Sequence, residues 1–189
     1  MAEDFIKITG TKSEIYQALI PQIQALVGAE SDFTANQANI AAAVKESFDF
    51  LWVGFYNVKS DSLVLGPFQG PVACTRIKKG NGVCGKAWAE KRPVVVDNVN
   101  LFPGHIACSS KSKSEVVIPL IKECEVVGVL DIDSEQLAAF DNEDLLYLNE
   151  ICEFFKQIVE LSFKDTKLAK DDINTWVLII TVDRDIPIF

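Results

Sequence analysis

Apolar residues recur at helical spacing near the start of the chain and at strand spacing through its middle. Tyr16, Leu19, Ile20, Ile23 and Leu26 follow Ser13 at intervals of three or four, which predicts a helix capped by Ser13. Pro21 lies inside that stretch and, lacking an N–H, predicts a kink or a split there. A second helix is predicted from about Asn36 to Ser47. The period then falls to two. FLWVGFYNV, from Phe50 to Val58, reads as a strand rich in aromatic and branched residues, Ser60 and Asp61 as a turn, and LVLGPF as the returning strand. Such a hairpin makes the sheet at least partly antiparallel.

Beyond Gly80 and Gly82, VCGKAWAEK predicts a short helix and RPVVV a strand. Residues 98–114 form a long polar loop containing Pro103, Gly104 and Cys108, and a loop of that length inside a domain is usually functional or disordered. EVVIPLI, the turn KECE and VVGVLDID make the clearest hairpin. Asp141 is the predicted cap of the last long helix, and Asp144 favours its positive end. The apolar stripe of that helix is Leu145, Leu148, Cys152, Phe155 and Val159. Helices at both ends and hairpin-joined strands between them predict an α+β domain, with helices against a mostly antiparallel sheet. That domain is expected over residues 1–163. Residues 164–189 form an extension of unassigned role, in which TWVLIITV has strand propensity and must be paired or covered.

Alternation puts Phe50, Trp52, Gly54 and Tyr56 on one strand face, with a hollow expected over Gly54 between the two large aromatics. In VVGVLDIDS it puts Asp131 and Asp133 on one face and Leu130 and Ile132 on the other. Aspartate is depleted in strands, and two carboxylates on a half-buried surface repel each other and lose hydration, so a cation is expected to balance them. Glu115, at the start of the neighbouring strand, can join them, making three acids able to hold an ammonium group or share a proton. A solvated acidic face is the competing reading.

With 189 residues the chain can bury a core without disulfides or metal. A net charge of −9 and a pI near 4.6 argue against a nucleic-acid surface. The opening MAEDFIKITG lacks the basic segment and apolar run of a signal peptide, and no stretch of about 18 apolar residues occurs, so a cytoplasmic protein is expected. Five cysteines are an odd number, which suits a reducing compartment. Cys74 and Cys84 bracket CTRIKKGNGVC, ten positions apart, the wrong spacing for a CxxC redox or zinc motif. Cys108 lies near His105, Lys111 and Lys113, where positive charge can stabilise a thiolate. A disulfide from Cys74 or Cys84 to Cys108 is left open by the spacing. Cys124 falls in a turn and Cys152 on an apolar helix stripe, both read as incidental to the chemistry. KKGNGVCGKA has phosphate-loop glycines without the GK[ST] ending, so a tight turn into a helix is the favoured reading.

Together LWVGFY, LVLGPFQGPVAC, GNGVCG, GHIACSSKSKSEVVIPL and VGVLDIDS resemble the free methionine-(R)-sulfoxide reductases, which are built on a stand-alone GAF domain. The resemblance runs from about Tyr16 to Phe163. It implies that Cys108 attacks the sulfoxide sulfur and becomes a sulfenic acid, that Cys74 resolves it as a disulfide with Cys84 as an alternative or second resolving thiol, and that thioredoxin, fed by NADPH, regenerates the dithiol without a bound cofactor or metal. It further implies that Glu115 and Asp133 act near the departing oxygen, Asp131 holds the substrate ammonium, and Trp52 and Tyr56 enclose the S-methyl end. A homodimer is also suggested. A cyclic-nucleotide sensor and a non-catalytic thiol switch are the competing functions; the first has no use for an acidic cluster beside a phosphate, and the second has no use for the acids at all.

Overall fold

A computed structural model describes residues 5–28, 30–106 and 108–155, so Val159, the predicted TWVLIITV strand and the 164–189 extension lie outside the described residues. Helix α1 spans Lys12–Val27. Its cap is Thr11, two residues ahead of the predicted Ser13: the Thr11 side chain accepts from Glu14 N, and the Glu14 carboxylate accepts from Thr11 N at 2.8 Å. The helix continues through Pro21 to Val27, because Tyr16, Leu19, Ile20, Ile23 and Val27 are buried on both sides of the proline and hold the element together by packing. Helix α2, Phe33–Ser47, starts nearly a turn earlier than predicted, at the N-cap Asp32, whose Oδ1 accepts from Ala35 N.

Strands β1 (Trp52–Lys59), β2 (Ser62–Gln69), β3 (Arg76–Lys78), β4 (Val94–Val96), β5 (Ser114–Lys122) and β6 (Glu125–Ser134) form one antiparallel sheet in the order β3-β2-β1-β6-β5-β4. The predicted KECE turn tightens to Glu123 and Cys124, both at positive φ, with Lys122 opposite Glu125. Helix α3, Gly82–Glu90, precedes β4, and a last helix, α4, occupies 142–155. The predicted Asp141 cap is present: its Oδ1 accepts from Glu143 N and Asp144 N, and Asp144 Oδ2 accepts from Asp141 N.

Both faces of the sheet are covered. On one, Val53, Phe55, Val116, Ile118, Leu130 and Ile132 meet the buried residues of α1, α2 and α4. On the other, Trp52, Tyr56, Val117 and Val129 meet α3 through Val83, Cys84, Ala87 and Trp88. Phe50 departs from the predicted alternation. It precedes the regular strand and joins the helical side, stacking on Phe48 at 5.0 Å between ring centres.

Candidate active site

The sheet register builds the floor of the site. Asp133 on β6 lies opposite Trp52 of β1 and Glu115 of β5, while Asp131 lies opposite Gly54 and Val117. Side chains one apart in a strand point to opposite faces, so Glu115, Asp131 and Asp133 share the α3 side of the sheet while Leu130 and Ile132 enter the helical core. The space above Gly54 is filled by the ring of Trp52 and by Phe68 rather than left hollow. The aromatics instead form a wall: Trp52 stacks on Tyr56 at 5.9 Å and on Phe68 at 5.4 Å.

Cys84 enters from the first turn of α3 and is buried; its Sγ and single carboxylate oxygens of Glu115 and Asp131 all lie within 4.8 Å of one another. Among the described residues this is the one such grouping of metal-type donors. Asp131 Oδ1 is sealed from solvent without a hydrogen-bond partner, whereas Asp133 Oδ1 accepts a short hydrogen bond from Ser112 Oγ. His105 Nε2 lies 3.4 Å from Glu115 Oε2.

Over this floor, Cys74 and Cys108 form a disulfide with their Cα atoms 5.6 Å apart. Cys74 comes from the loop after β2 and Cys108, which is exposed, from the loop before β5. Beneath the bond is a cavity of about 30 Å³, room for one or two water molecules, lined by Trp52, Tyr56, Cys84, Glu115, Asp131 and Asp133, with His105, Ile106, Cys108 and Ser112 at its side. The predicted residues therefore converge, apart from Cys74, which contacts the cavity through its bond to Cys108 and its neighbour Ala73.

Electrostatics follow from the burial. Desolvation, then repulsion from Asp133, pushes the Glu115 carboxyl well above its ordinary range. Desolvation followed by repulsion from Glu115 and Asp133 does the same to Asp131. Asp133 is raised by burial and partly restrained by the Ser112 hydroxyl. Burial and the nearby Asp131 push the Cys84 thiol up, and burial lowers His105 against the pull of Asp133. Lys111, expected to support the Cys108 thiolate, pairs instead with exposed Glu135 at 3.4 Å.

Sequence reasoning missed Ser112, the seating of Ile106 against Gly82, and the turning of His105 toward an acid rather than toward sulfur. Ser112 carries no local signal, since it lies before β5 and reaches Asp133 only through the fold.

The GAF domain family matches residues 32–160. The chain is 55% identical over 152 residues to GAF domain-containing protein A of Dictyostelium discoideum, covering 80% of this chain and 96% of that one. It is 46% identical over 134 residues to the free methionine-R-sulfoxide reductase of Escherichia coli, covering 70% of this chain and 81% of that one. Among solved structures, a free methionine-R-sulfoxide reductase of Neisseria meningitidis in complex with its substrate superposes with a TM-score of 0.84 at 49% identity, covering 87% of this chain and 99% of that one.

Proposed function

The chain belongs to the free methionine-R-sulfoxide reductases, enzymes built on a GAF domain, and we propose that it reduces free L-methionine-(R)-sulfoxide to L-methionine through Cys108, Cys74 and the three buried acids. The observation that carries this reading is a Cys74–Cys108 disulfide whose Cys108 lines one cavity with the buried carboxylates of Glu115, Asp131 and Asp133.

The Cys108 thiolate attacks the sulfoxide sulfur. The oxygen passes to Cys108, methionine leaves, and the substrate sulfur is reduced by two electrons as the cysteine sulfur becomes a sulfenic acid. Because an unprotonated oxide is a poor leaving group, the step needs an acid that still carries its proton near neutrality. Burial moves both Glu115 and Asp133 toward that condition, and repulsion from Asp133 moves Glu115 further. Asp131, whose Oδ1 has no hydrogen-bond partner among the described residues, receives the substrate ammonium. A peptide-bound residue has no free ammonium to offer, which would leave the acid unpaired, so the site selects the free amino acid. The Trp52 and Tyr56 rings enclose the S-methyl end.

Resolution falls to Cys74. It is already bonded to Cys108, whereas Cys84 lies in surroundings that keep its thiol protonated and weakly nucleophilic. Thioredoxin reopens the bridge by attack at the exposed Cys108 side. Substrate entry requires that reopening, since a cavity of about 30 Å³ cannot take an amino acid.

An NADPH-coupled thioredoxin assay on the separated free R and S epimers tests the reading, with turnover expected for R alone. Cys108→Ser is expected to form no methionine, and Cys74→Ser to form about one methionine per molecule and then stall. Multiple turnovers by Cys108→Ser would refute the assignment.

A further inference from the structure

The segment between β2 and β3, residues 70–75, leaves the sheet carrying Cys74 and is tied to it by a small number of polar contacts. At its entrance Gly70 has φ +135°, and a Cβ there would lie 2.7 Å from Trp52 Cδ1 and 2.8 Å from Leu51 O, so the chain passes pressed against Trp52. Leu65 N donating to Thr75 O at 3.1 Å fixes its far end. Between these points, Trp52 Nε1 donates to Pro71 O at 3.1 Å and Tyr56 Oη donates to Cys74 O at 3.0 Å. Both donors belong to buried side chains of the central strand β1, and each would be stranded without a partner if the loop moved away. Burial also holds the Tyr56 phenol far above its ordinary range, so it stays a donor at any working pH.

The bond from Tyr56 falls on the carbonyl of Cys74 itself. It therefore fixes the peptide plane that follows the cysteine, and with it the direction in which the Cys74 Cα–Cβ bond points toward Cys108. We propose that Tyr56 is a positioning residue for the resolving cysteine, its hydroxyl holding the Cys74 carbonyl so that the Cys74 sulfur stays within reach of the Cys108 sulfenic acid. This rests on the reductase reading above and assigns the ring and the hydroxyl separate duties: the ring walls the substrate, the hydroxyl serves the second half of the cycle. In that half the Cys74 sulfur attacks the Cys108 sulfur, the S–S bond forms, the S–O bond breaks, and hydroxide departs with the thiol proton as water.

The experiment is a single turnover of fully reduced Tyr56→Phe with free methionine-(R)-sulfoxide, quenched at intervals. Methionine is measured by chromatography, Cys108 sulfenic acid by dimedone labelling and the disulfide by mass spectrometry. Because the ring also walls the substrate, formation of the first methionine is timed in the same samples, and closure is read separately, from the decay of sulfenic acid already formed. Closure of the disulfide is expected to slow about fivefold to tenfold, as loss of one hydrogen bond implies, with dimedone-labelled Cys108 accumulating in the interval. A cooperative melting transition establishes that the variant is folded. Closure at the native rate overturns the proposal, and so does loss of the first methionine in folded variant, since the hydroxyl would then act on the sulfoxide step. Failure of the native protein to form any methionine instead overturns the reductase reading.

Discussion

Two sets of buried carboxylates lie on opposite sides of the sheet, and they are treated in opposite ways. Asp144 of α4, fully buried among the helices, is satisfied at every atom: Oδ1 accepts from Tyr16 Oη at 2.9 Å, and Oδ2 accepts from Lys12 Nζ at 2.5 Å and from Asp141 N at 2.8 Å. Among the described residues, Glu115, Asp131 and Asp133, across the sheet, have no lysine or arginine as ion-pair partner, and Asp131 leaves one oxygen without a hydrogen-bond partner. A buried charge with a complete set of partners ties elements together; an incomplete set waits for a ligand. The first joins α1 to α4. The second is the set to which the proposed function gives the substrate ammonium and the departing oxygen.

Substitutions should separate the two sets cleanly. The largest effect is expected from Asp133→Asn and Glu115→Gln, each lowering kcat/KM by about 10² to 10⁴, the range of a general acid, while thermal melting shows a fold at least as stable as the native one. A melt that collapses in either variant would mean that these acids are structural after all. Next in size, Asp144→Ala leaves the buried Tyr16 hydroxyl without its acceptor and Lys12 with exposed Asp141 as its remaining acid, and is expected to cost about 1–3 kcal/mol in denaturant unfolding, with kcat per folded molecule unchanged.

The smallest effect has the opposite sign. Asp131→Asn is expected to stabilise the protein at neutral pH by about 1–2 kcal/mol, because it removes an uncompensated buried acid, while weakening binding of the free amino acid. The sign follows from the raised pKa: the folded state holds protons that the unfolded chain releases above about pH 4, so native stability falls as pH rises from there through the folded-state pKa. The gap between variant and native protein should therefore open with rising pH and close on acidification. A gap independent of pH would remove the electrostatic explanation.

The site acids were legible because a period of two carries its own face assignment: once Leu130 and Ile132 are core, Asp131 and Asp133 must point elsewhere. The cysteines were legible as candidates, but no spacing in the chain distinguishes Cys74 from Cys84. That choice is made by α3, whose first turn directs Cys84 inward to the acids while Cys74 stays on the loop facing Cys108. Lys12 and Asp144 are 132 residues apart and belong to different helices, so nothing local announces their pairing. Phe50 misled because alternation was extended past the point where β1 begins at Trp52. The Pro21 break did not appear because the buried stripe on either side outweighs one missing backbone bond.

The bridge between Cys74 and Cys108 roofs a space that holds a water molecule or two. On the proposed cycle, a spent molecule would have no berth in which another damaged amino acid can queue, and the share of protein standing open would follow the supply of reducing equivalents as well as the quantity of sulfoxide.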